Sequence, residues 1–127
     1  MDYTFVREFP GDDYEGVLAR TRKALAAHGF GIPTELDTRA VFQAKLGRDS
    51  APRVILGACL PQVAWDALAE EPDVAALLPC NVVVHQRPDA VAVTAIDPEA
   101  LFTLTRSVQR GHAAEVKARL AAALDAI

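Results

Sequence analysis

The segment ILGACLPQVAWDALAEEPDVAALLPCNVVV, residues 55–84, contains both cysteines of the chain. A β-branched stretch ends at Cys59 and another begins just after Cys80, which is typical of two strands. The stretch between them has helical periodicity from Pro61 to the residue before Pro72, because proline suits the first turn of a helix and not its interior. The segment therefore predicts a strand, a helix and a strand, with one thiol at each junction.

Strands and helices also alternate on both sides of this segment, with no internal repeat or linker. Strands are predicted over residues 3–9, 30–36, 53–59, 81–86 and 91–96. Helices are predicted from residue 12 to Gly29, from residue 37 to Gly47, over residues 61–71, and over a last segment whose apolar face is Val116, Leu120, Leu124 and Ile127. The order indicates a single α+β domain over residues 1–127.

The first predicted helix has recognisable signals at both ends. Asp12 is expected to cap its N-terminus, with Glu15 three residues later as in a capping box, and Gly29 to follow its C-cap. His28 lies in the last turn, where an imidazole interacts favourably with the free carbonyl groups of the helix end. A structural role is therefore expected for His28.

The helix between the two thiols is expected to pack against the sheet through Trp65, the chain's only tryptophan. Trp65 is predicted to share a buried face with Ala64 and Leu68. The opposite, solvated side of this helix is expected to carry the carboxylates Asp66, Glu70 and Glu71. No chemistry is assigned to them.

The composition is that of an ordinary globular domain, with 127 residues, 51% hydrophobic residues and 24% charged residues. These values disfavour disorder and disulfide-scaffold classes. Lys and Arg number 13 against 17 Asp and Glu, so the net charge is −4. Because no basic run could follow a phosphate backbone, nucleic acid is not an expected partner.

The N-terminal sequence MDYTFVREFPGDDYEG has an early acid and no unbroken apolar segment, so it does not have the pattern of a signal peptide. The longest apolar runs are far shorter than the roughly 20 residues that span a bilayer. We therefore expect a cytoplasmic protein with no membrane partner. In that compartment, thiols are kept reduced.

Cys59 has two interpretations. It lies beside the N-terminus of the helix that begins at Pro61, and Leu60, the expected N-cap, has no acceptor for the free amide groups, which would favour a thiolate. Alternatively, Cys59 alternates with Ile55 and Gly57 and fills a tight buried position. Because free cysteine is among the most buried residue types, packing is the favoured interpretation.

Cys80 alternates with Val82 and Val84, so the nearest histidine, His85, is predicted on the opposite face of the same strand. A zinc site needs about four cysteine, histidine or carboxylate ligands, and the sequence has no CxxC or HxxxH pattern. We therefore expect no metal centre within one chain and no cofactor. His112 could meet the thiols only across a dimer.

The sequence carries no recognised catalytic motif. Neither Ser50 nor Ser107 lies in a G-x-S-x-G context, and the contexts CLPQ and PCNV match no cysteine-protease signature. The loop PGDDYEG lacks the glycine spacing of a phosphate-binding loop. A hydrolase or nucleotide-binding function is therefore not favoured, and no enzymatic activity is predicted.

The segments GFGIPTELD, ILGACLPQVAWDALAEEP, ALLPCNVVV and AIDPEAL occur in this order along nearly the whole chain. In this combination the chain closely resembles the Domain of Unknown Function 302 family, whose hallmark segments are GAC-x-P and LLPC. The resemblance implies a compact α+β fold of β-α-β4-α type with a mainly antiparallel sheet, short helical insertions and TATA-binding-protein-like topology. It also implies a homodimer. No accepted activity comes with it, and kinship to a DNA-binding fold carries no function by itself.

The implied sheet makes the two strands that hold the thiols antiparallel neighbours, with the helix between them inserted at one end. Cys59 ends one strand and Cys80 begins the next, so we expect the thiols to be close together and reduced. A disulfide would require Cα atoms within about 7 Å of each other.

Two functions remain open. The first is a non-enzymatic homodimeric domain that binds a small ligand or partner near the GAC and LPC segments. The alternative is a thiol-based redox or sulfur-transfer protein that uses Cys59 and Cys80. A lowered thiol pKa together with reversible oxidation would identify the second.

Overall fold

In the computed structural model, which describes residues 2–106 and 109–127, the chain forms five strands. They are β1 (Thr4–Pro10), β2 (Gly31–Asp37), β3 (Arg53–Cys59), β4 (Cys80–Gln86) and β5 (Ala90–Ile96). They form one antiparallel sheet in the order β1-β5-β4-β3-β2. Each strand lies within one residue of its predicted bounds, because β-branched runs and turn residues mark both ends.

The helices are α1 (Tyr14–Ala27), α2 (Thr38–Leu46), α3 (Pro61–Glu70), α4 (Pro98–Leu101) and α5 (Arg110–Asp125). Short 3₁₀ helices follow α3 at Pro72–Leu77 and α4 at Phe102–Leu104. The prediction of one α+β domain with helical insertions is confirmed. None of the described helices is long and apolar enough to cross a membrane. Ser107, considered above as a nucleophile, lies outside the described residues.

The main hydrophobic core lies between one face of the sheet and the layer formed by α1 and α5. The apolar face predicted for α5 is the one that is buried. Val17 and Leu25 of α1 and Leu120 of α5 are fully buried against the sheet. Ile127 packs against the edge of the same cluster. This helix-covered face leaves the other side of the sheet as a separate surface.

The start of α1 differs from the prediction. Asp13, not Asp12, is the N-cap, and its carboxylate accepts a hydrogen bond from the Gly16 amide at 2.9 Å. Asp12 instead accepts hydrogen bonds from the Asp13 amide and the Arg20 guanidinium. The prediction was wrong because two adjacent aspartates satisfy the same N-cap preference, and the backbone geometry chooses between them.

The end of α1 agrees with the prediction. Gly29 has a φ of 88°, the left-handed conformation that a residue after the C-cap adopts. The Nδ1 atom of His28 lies 2.8 Å from the carbonyl oxygen of Ala24. His28 therefore has the structural role expected from its position.

A second, smaller hydrophobic cluster lies at one end of the sheet, where the chain leaves β3 and enters β4. Its buried members are Ala67 of α3, Val74 of the first 3₁₀ helix, Phe102 and Ala113. The insertion between β3 and β4 is thus anchored by its own core, and β3 and β4 remain antiparallel neighbours.

Trp65 is not buried, contrary to the prediction: it is 74% exposed. Ala67 is fully buried, and residues two positions apart in a helix point about 200° apart, so Trp65 faces away from the cluster. The buried line of α3 runs through Val63 and Ala67. The sequence pattern was ambiguous because alanines occur on both sides of this helix.

Candidate functional site

The two hallmark segments meet on the sheet face opposite α1 and α5. Gly57 of the GAC segment pairs with Asn81, and Pro79 of the LLPC segment lies over Gly57. A Cβ atom at position 57 would lie 2.5 Å from Cγ of Pro79 and would also overlap Oγ1 of Thr34. Glycine at this position therefore lets the LLPC segment rest directly on the sheet.

Cys59 and Cys80 line a narrow cavity next to the contact between Gly57 and Pro79, which we call the thiol slot. Cys80 pairs with Ala58, the residue before Cys59. The two cysteines therefore lie one residue out of register in neighbouring strands. Both line a cavity of about 20 Å³ with Leu60 and Val63, and both thiols are free. A cavity of this size has room for about one water molecule. The two cysteines are not at disulfide distance, so the structure does not support the predicted close pair.

Burial raises the pKa of both thiols. The pKa of Cys80 rises to about 11, first because the side chain is desolvated and second because a negative charge on Cys59 would lie nearby. Desolvation also raises the pKa of Cys59. Leu60 is the N-cap of α3 and has no side-chain acceptor, as predicted. The lowering of the Cys59 pKa expected beside a helix N-terminus does not outweigh the raising of that pKa by burial. The favoured interpretation of the cysteines as packing residues agrees with these directions.

The histidines lie away from the thiols. His85 is on the opposite face of β4 from Cys80, beside Arg53 and Arg87, and burial and these two cations lower its pKa. The Nε2 atom of His112 lies 3.1 Å from Glu70 at the surface. Among the described residues, no group of three or more histidine, cysteine and carboxylate side chains is arranged to hold a metal.

A larger cleft lies on the same sheet face as the Gly57–Pro79 contact. Its volume is about 370 Å³. Leu77, Leu78 and Pro79 form one wall, and Val83 and Thr94 of the sheet line it from below. The LLPC segment therefore has two roles: it closes the thiol slot on one side and builds the wall of an open cleft on the other.

The polar groups in this cleft are uncharged. Asn81 and Thr94 line it together with Thr4, and none of the described residues that line it is ionisable. Asn81 is exposed, and its side-chain amide makes no hydrogen bond within the described part of the chain. The cleft therefore presents a mainly apolar surface, and the exposed Asn81 amide is a group in it that can both donate and accept hydrogen bonds.

Sequence reasoning found the segment that builds the cleft but not its polar residues. Thr94 is the only hydroxyl in the strand AVAVTAI, and Asn81 is the polar residue that directly follows LLPC. Both signals were present in the sequence. That both residues line one cleft depends on the pairing of β4 with β5, which places Val82 beside Ala95 and Val83 beside Thr94.

Comparison with known proteins gives a consistent result. The family described as "Domain of unknown function DUF302" matches residues 6–127. The crystal structure of an uncharacterized conserved protein DUF302 from Bacillus stearothermophilus is similar, with a TM-score of 0.89 and 29% sequence identity over 98% of each chain. No curated protein matches the chain.

Proposed function

Because the chain belongs to the Domain of unknown function DUF302 family, we propose for it a function that the family name leaves open: it is a homodimeric, non-enzymatic domain that binds a small uncharged ligand. The ligand lies in the cleft beside the LLPC segment. The observation that carries the proposal is that this segment forms a wall of a 370 Å³ cleft with an unused amide at Asn81.

The class of ligand follows from the lining of the cleft. A charged ligand would have to leave water without meeting an opposite charge, because none of the described lining residues is ionisable. An apolar ligand gains from contact with Leu77, Leu78 and Val83, and one polar group suffices to use Asn81. A flat aromatic or alicyclic molecule with a single hydrogen-bonding group fits this description.

Indole is a suitable probe because it is uncharged, mainly apolar and carries one N–H donor. In ¹H–¹⁵N correlation spectra we expect indole to shift the amide signals of Asn81, Val83 and Thr94. Indene, which has the same shape without the N–H, should bind more weakly. Asn81→Leu should remove this difference, since the side chain can no longer accept the hydrogen bond.

Two neighbouring alanines offer a matched steric control. Ala76 and Ala75 are both exposed residues of the 3₁₀ helix Pro72–Leu77, but only Ala76 lines the cleft. Ala76→Trp should weaken indole binding at least tenfold, whereas Ala75→Trp should leave it unchanged. Equal effects of the two substitutions, or amide shifts scattered over the molecule, would refute the assignment of the cleft.

The thiol alternative makes a different prediction. A redox or sulfur-transfer thiol needs a thiolate near neutral pH, whereas burial raises the pKa of Cys59 and Cys80. In single-cysteine variants, the rate of alkylation by iodoacetamide should therefore increase about tenfold per pH unit from pH 7 to pH 8, with Cys80 slower than Cys59. A rate that levels off below pH 8 at either cysteine would favour the thiol function instead.

A further inference from the structure

Thr94 stands out in its strand because every other residue of β5 is alanine, valine or isoleucine. Its register partners in the two neighbouring strands are Val83 of β4 and Val6 of β1. Apolar β-branched residues therefore flank Thr94 on both sides. Valine, which has nearly the same shape as threonine, would suit this position equally well, so the hydroxyl group is the feature that needs an explanation.

The hydroxyl of Thr94 is not used within the fold. Its Oγ1 atom is buried and has no hydrogen-bond partner among residues 2–106 and 109–127. Such a group lowers stability, because the hydrogen bonds that it makes to water in the unfolded chain are not replaced. The described residues contain two further atoms of this kind, in Ser50 and Gln109, but neither residue lines the cleft.

A ligand in the cleft can reach this hydroxyl. The side chain of Thr94 lines the cleft although its Oγ1 atom is covered. Threonine places a hydroxyl and a methyl group in two of the three staggered positions about χ1, and a rotation of about 120° moves the hydroxyl to another position. A polar group of a ligand would favour the rotamer that points the hydroxyl towards it, because only that rotamer gains a hydrogen bond.

Asn81 and Thr94 provide two separate polar positions on one face of the sheet. Asn81 lies two residues before Val83, and Val83 is paired with Thr94. The two polar residues are therefore diagonal neighbours, which are typically about 7–8 Å apart in an antiparallel pair. Asn81 is exposed and Thr94 is half-buried, so Asn81 is the outer position and Thr94 the inner one.

We propose that Thr94 is a specificity-determining residue of the cleft, and that the ligand is a neutral molecule with hydrogen-bonding groups at both ends of a flat apolar body. One group binds the side-chain amide of Asn81 and the other binds the hydroxyl of Thr94. The inference rests on the proposed function, since it concerns the same cleft, and it adds the second polar group of the ligand. That group is uncharged, because none of the described lining residues is ionisable.

A matched pair of ligands tests the role of Thr94. 5-Hydroxyindole and 5-methylindole differ by a hydroxyl in place of a methyl group, and both keep the N–H donor that suits Asn81. Their dissociation constants are measured by titration in ¹H–¹⁵N correlation spectra. Thr94→Val should weaken 5-hydroxyindole at least tenfold, because its hydroxyl then leaves water without a partner, and should change the binding of 5-methylindole by no more than about twofold.

Two control variants separate this contact from others in the cleft. Thr4 also lines the cleft, and its hydroxyl is not among the buried atoms without a partner. Thr4→Val should therefore affect the two ligands equally. Asn81→Leu should remove the preference for indole over indene and should leave the effect of Thr94→Val on the two 5-substituted indoles intact.

A measurement without ligand tests the unused hydroxyl itself. Thr94→Val removes an unpaired buried group and keeps the shape of the side chain, so the urea midpoint of the free protein should rise. In wild-type protein, three-bond couplings to the Cγ2 atom of Thr94 report its χ1 angle. These couplings should change when 5-hydroxyindole binds and should stay constant with 5-methylindole.

Several outcomes would overturn the role of Thr94. They are an equal response of the two ligands to Thr94→Val, a selective loss of 5-hydroxyindole with Thr4→Val instead, and a lower urea midpoint for Thr94→Val. If indole shifts the cleft amides but one of these outcomes is found, the inference about Thr94 fails and the cleft assignment stands. If none of the indoles shifts the cleft amides, the proposed function fails, and the inference about Thr94 fails with it.

Discussion

At the scale of single residues, the contact between Gly57 and Pro79 joins the two hallmark segments of the family. The glycine is required because Pro79 and Thr34 occupy the space that a Cβ atom would fill. Thr34 can rotate its hydroxyl away, but the proline ring has no comparable freedom. A substitution at position 57 must therefore displace the LLPC segment, which carries both Cys80 and a wall of the cleft.

We predict that Gly57→Ala destabilises the protein by about 1–3 kcal/mol, the usual cost of overpacking. Gly31→Ala is the control in the neighbouring strand, because a Cβ atom there would meet only the carbonyl oxygen of Cys59, at an ordinary distance of 3.9 Å. Urea unfolding followed by circular dichroism measures both values. Equal stability of the two variants would contradict the close contact at Gly57.

The choice between a packing role and a reactive thiol for the cysteines depends on neighbours that are distant in the sequence. Free cysteine is typically buried, and that general tendency favours packing. In the fold Cys80 is buried and Cys59 is half-buried. The alternative interpretation depended on the helix N-terminus beside Cys59. The electrostatic benefit of that position competes with desolvation, and only the packing of the slot shows that desolvation prevails.

At the scale of elements, α3 has its apolar side chains on two faces. Val63 packs against the main core and Ala67 belongs to the second cluster, while Trp65 lies in solvent. The helix is thus held by small side chains, and its large aromatic residue contributes little to the core. The prediction that Trp65 is a core aromatic residue is wrong for this reason.

We predict that Trp65→Ala changes the free energy of unfolding by no more than about 0.5 kcal/mol, as for other exposed positions. Phe102→Ala, which removes a 6% exposed aromatic ring from the second cluster, should cost about 3–5 kcal/mol. Chemical denaturation checks both changes. The native fluorescence of Trp65 should already be red-shifted, and a blue-shifted native spectrum would show that the ring is covered.

At the scale of the whole molecule, the buried Cys80 and the half-buried Tyr14 link stability to alkaline pH. Burial raises the pKa of Cys80 to about 11 and that of Tyr14 to about 12, from ordinary values of 9.0 and 10.0. Both groups are neutral in the fold, and the Tyr14 hydroxyl donates a hydrogen bond to the carbonyl of Val84. A raised folded-state pKa gives stability that is complete below the unfolded pKa and is lost as pH rises through the folded value.

We therefore predict that the unfolding free energy is insensitive to these two groups below pH 9 and falls progressively between pH 9 and pH 12. The double variant Tyr14→Phe, Cys80→Ala should be less stable at neutral pH but should lose less stability over this range. Thermal melts at a series of pH values provide the measurement. An unchanged alkaline slope in the double variant would assign the effect to other groups.

The order of strands and helices could be predicted almost completely, because it depends on local signals. Proline at residues 61 and 72, glycine at residue 29 and the β-branched runs mark the ends of elements within one or two positions. The choice between Asp12 and Asp13 as N-cap, and the orientation of Trp65, were wrong. In both cases two neighbouring residues or faces satisfied the same local preference equally well.

The candidate site was only partly predictable, since it combines segments that are distant in the chain. The LLPC segment and its cysteine were identified from sequence. The position of Pro79 over Gly57 and the cleft beside it depend on the register of β5, β4 and β3.

The sequence by itself determined the element order, the face of the last helix that packs on the sheet and the membership of the chain in its family. These properties follow from periodicity and from local backbone preferences, which act over a few residues. The tertiary structure alone decided the strand register, the uncovered sheet face and the pKa direction of the thiols. Those properties arise from long-range pairing and from desolvation, which exist only once residues far apart in sequence are packed together.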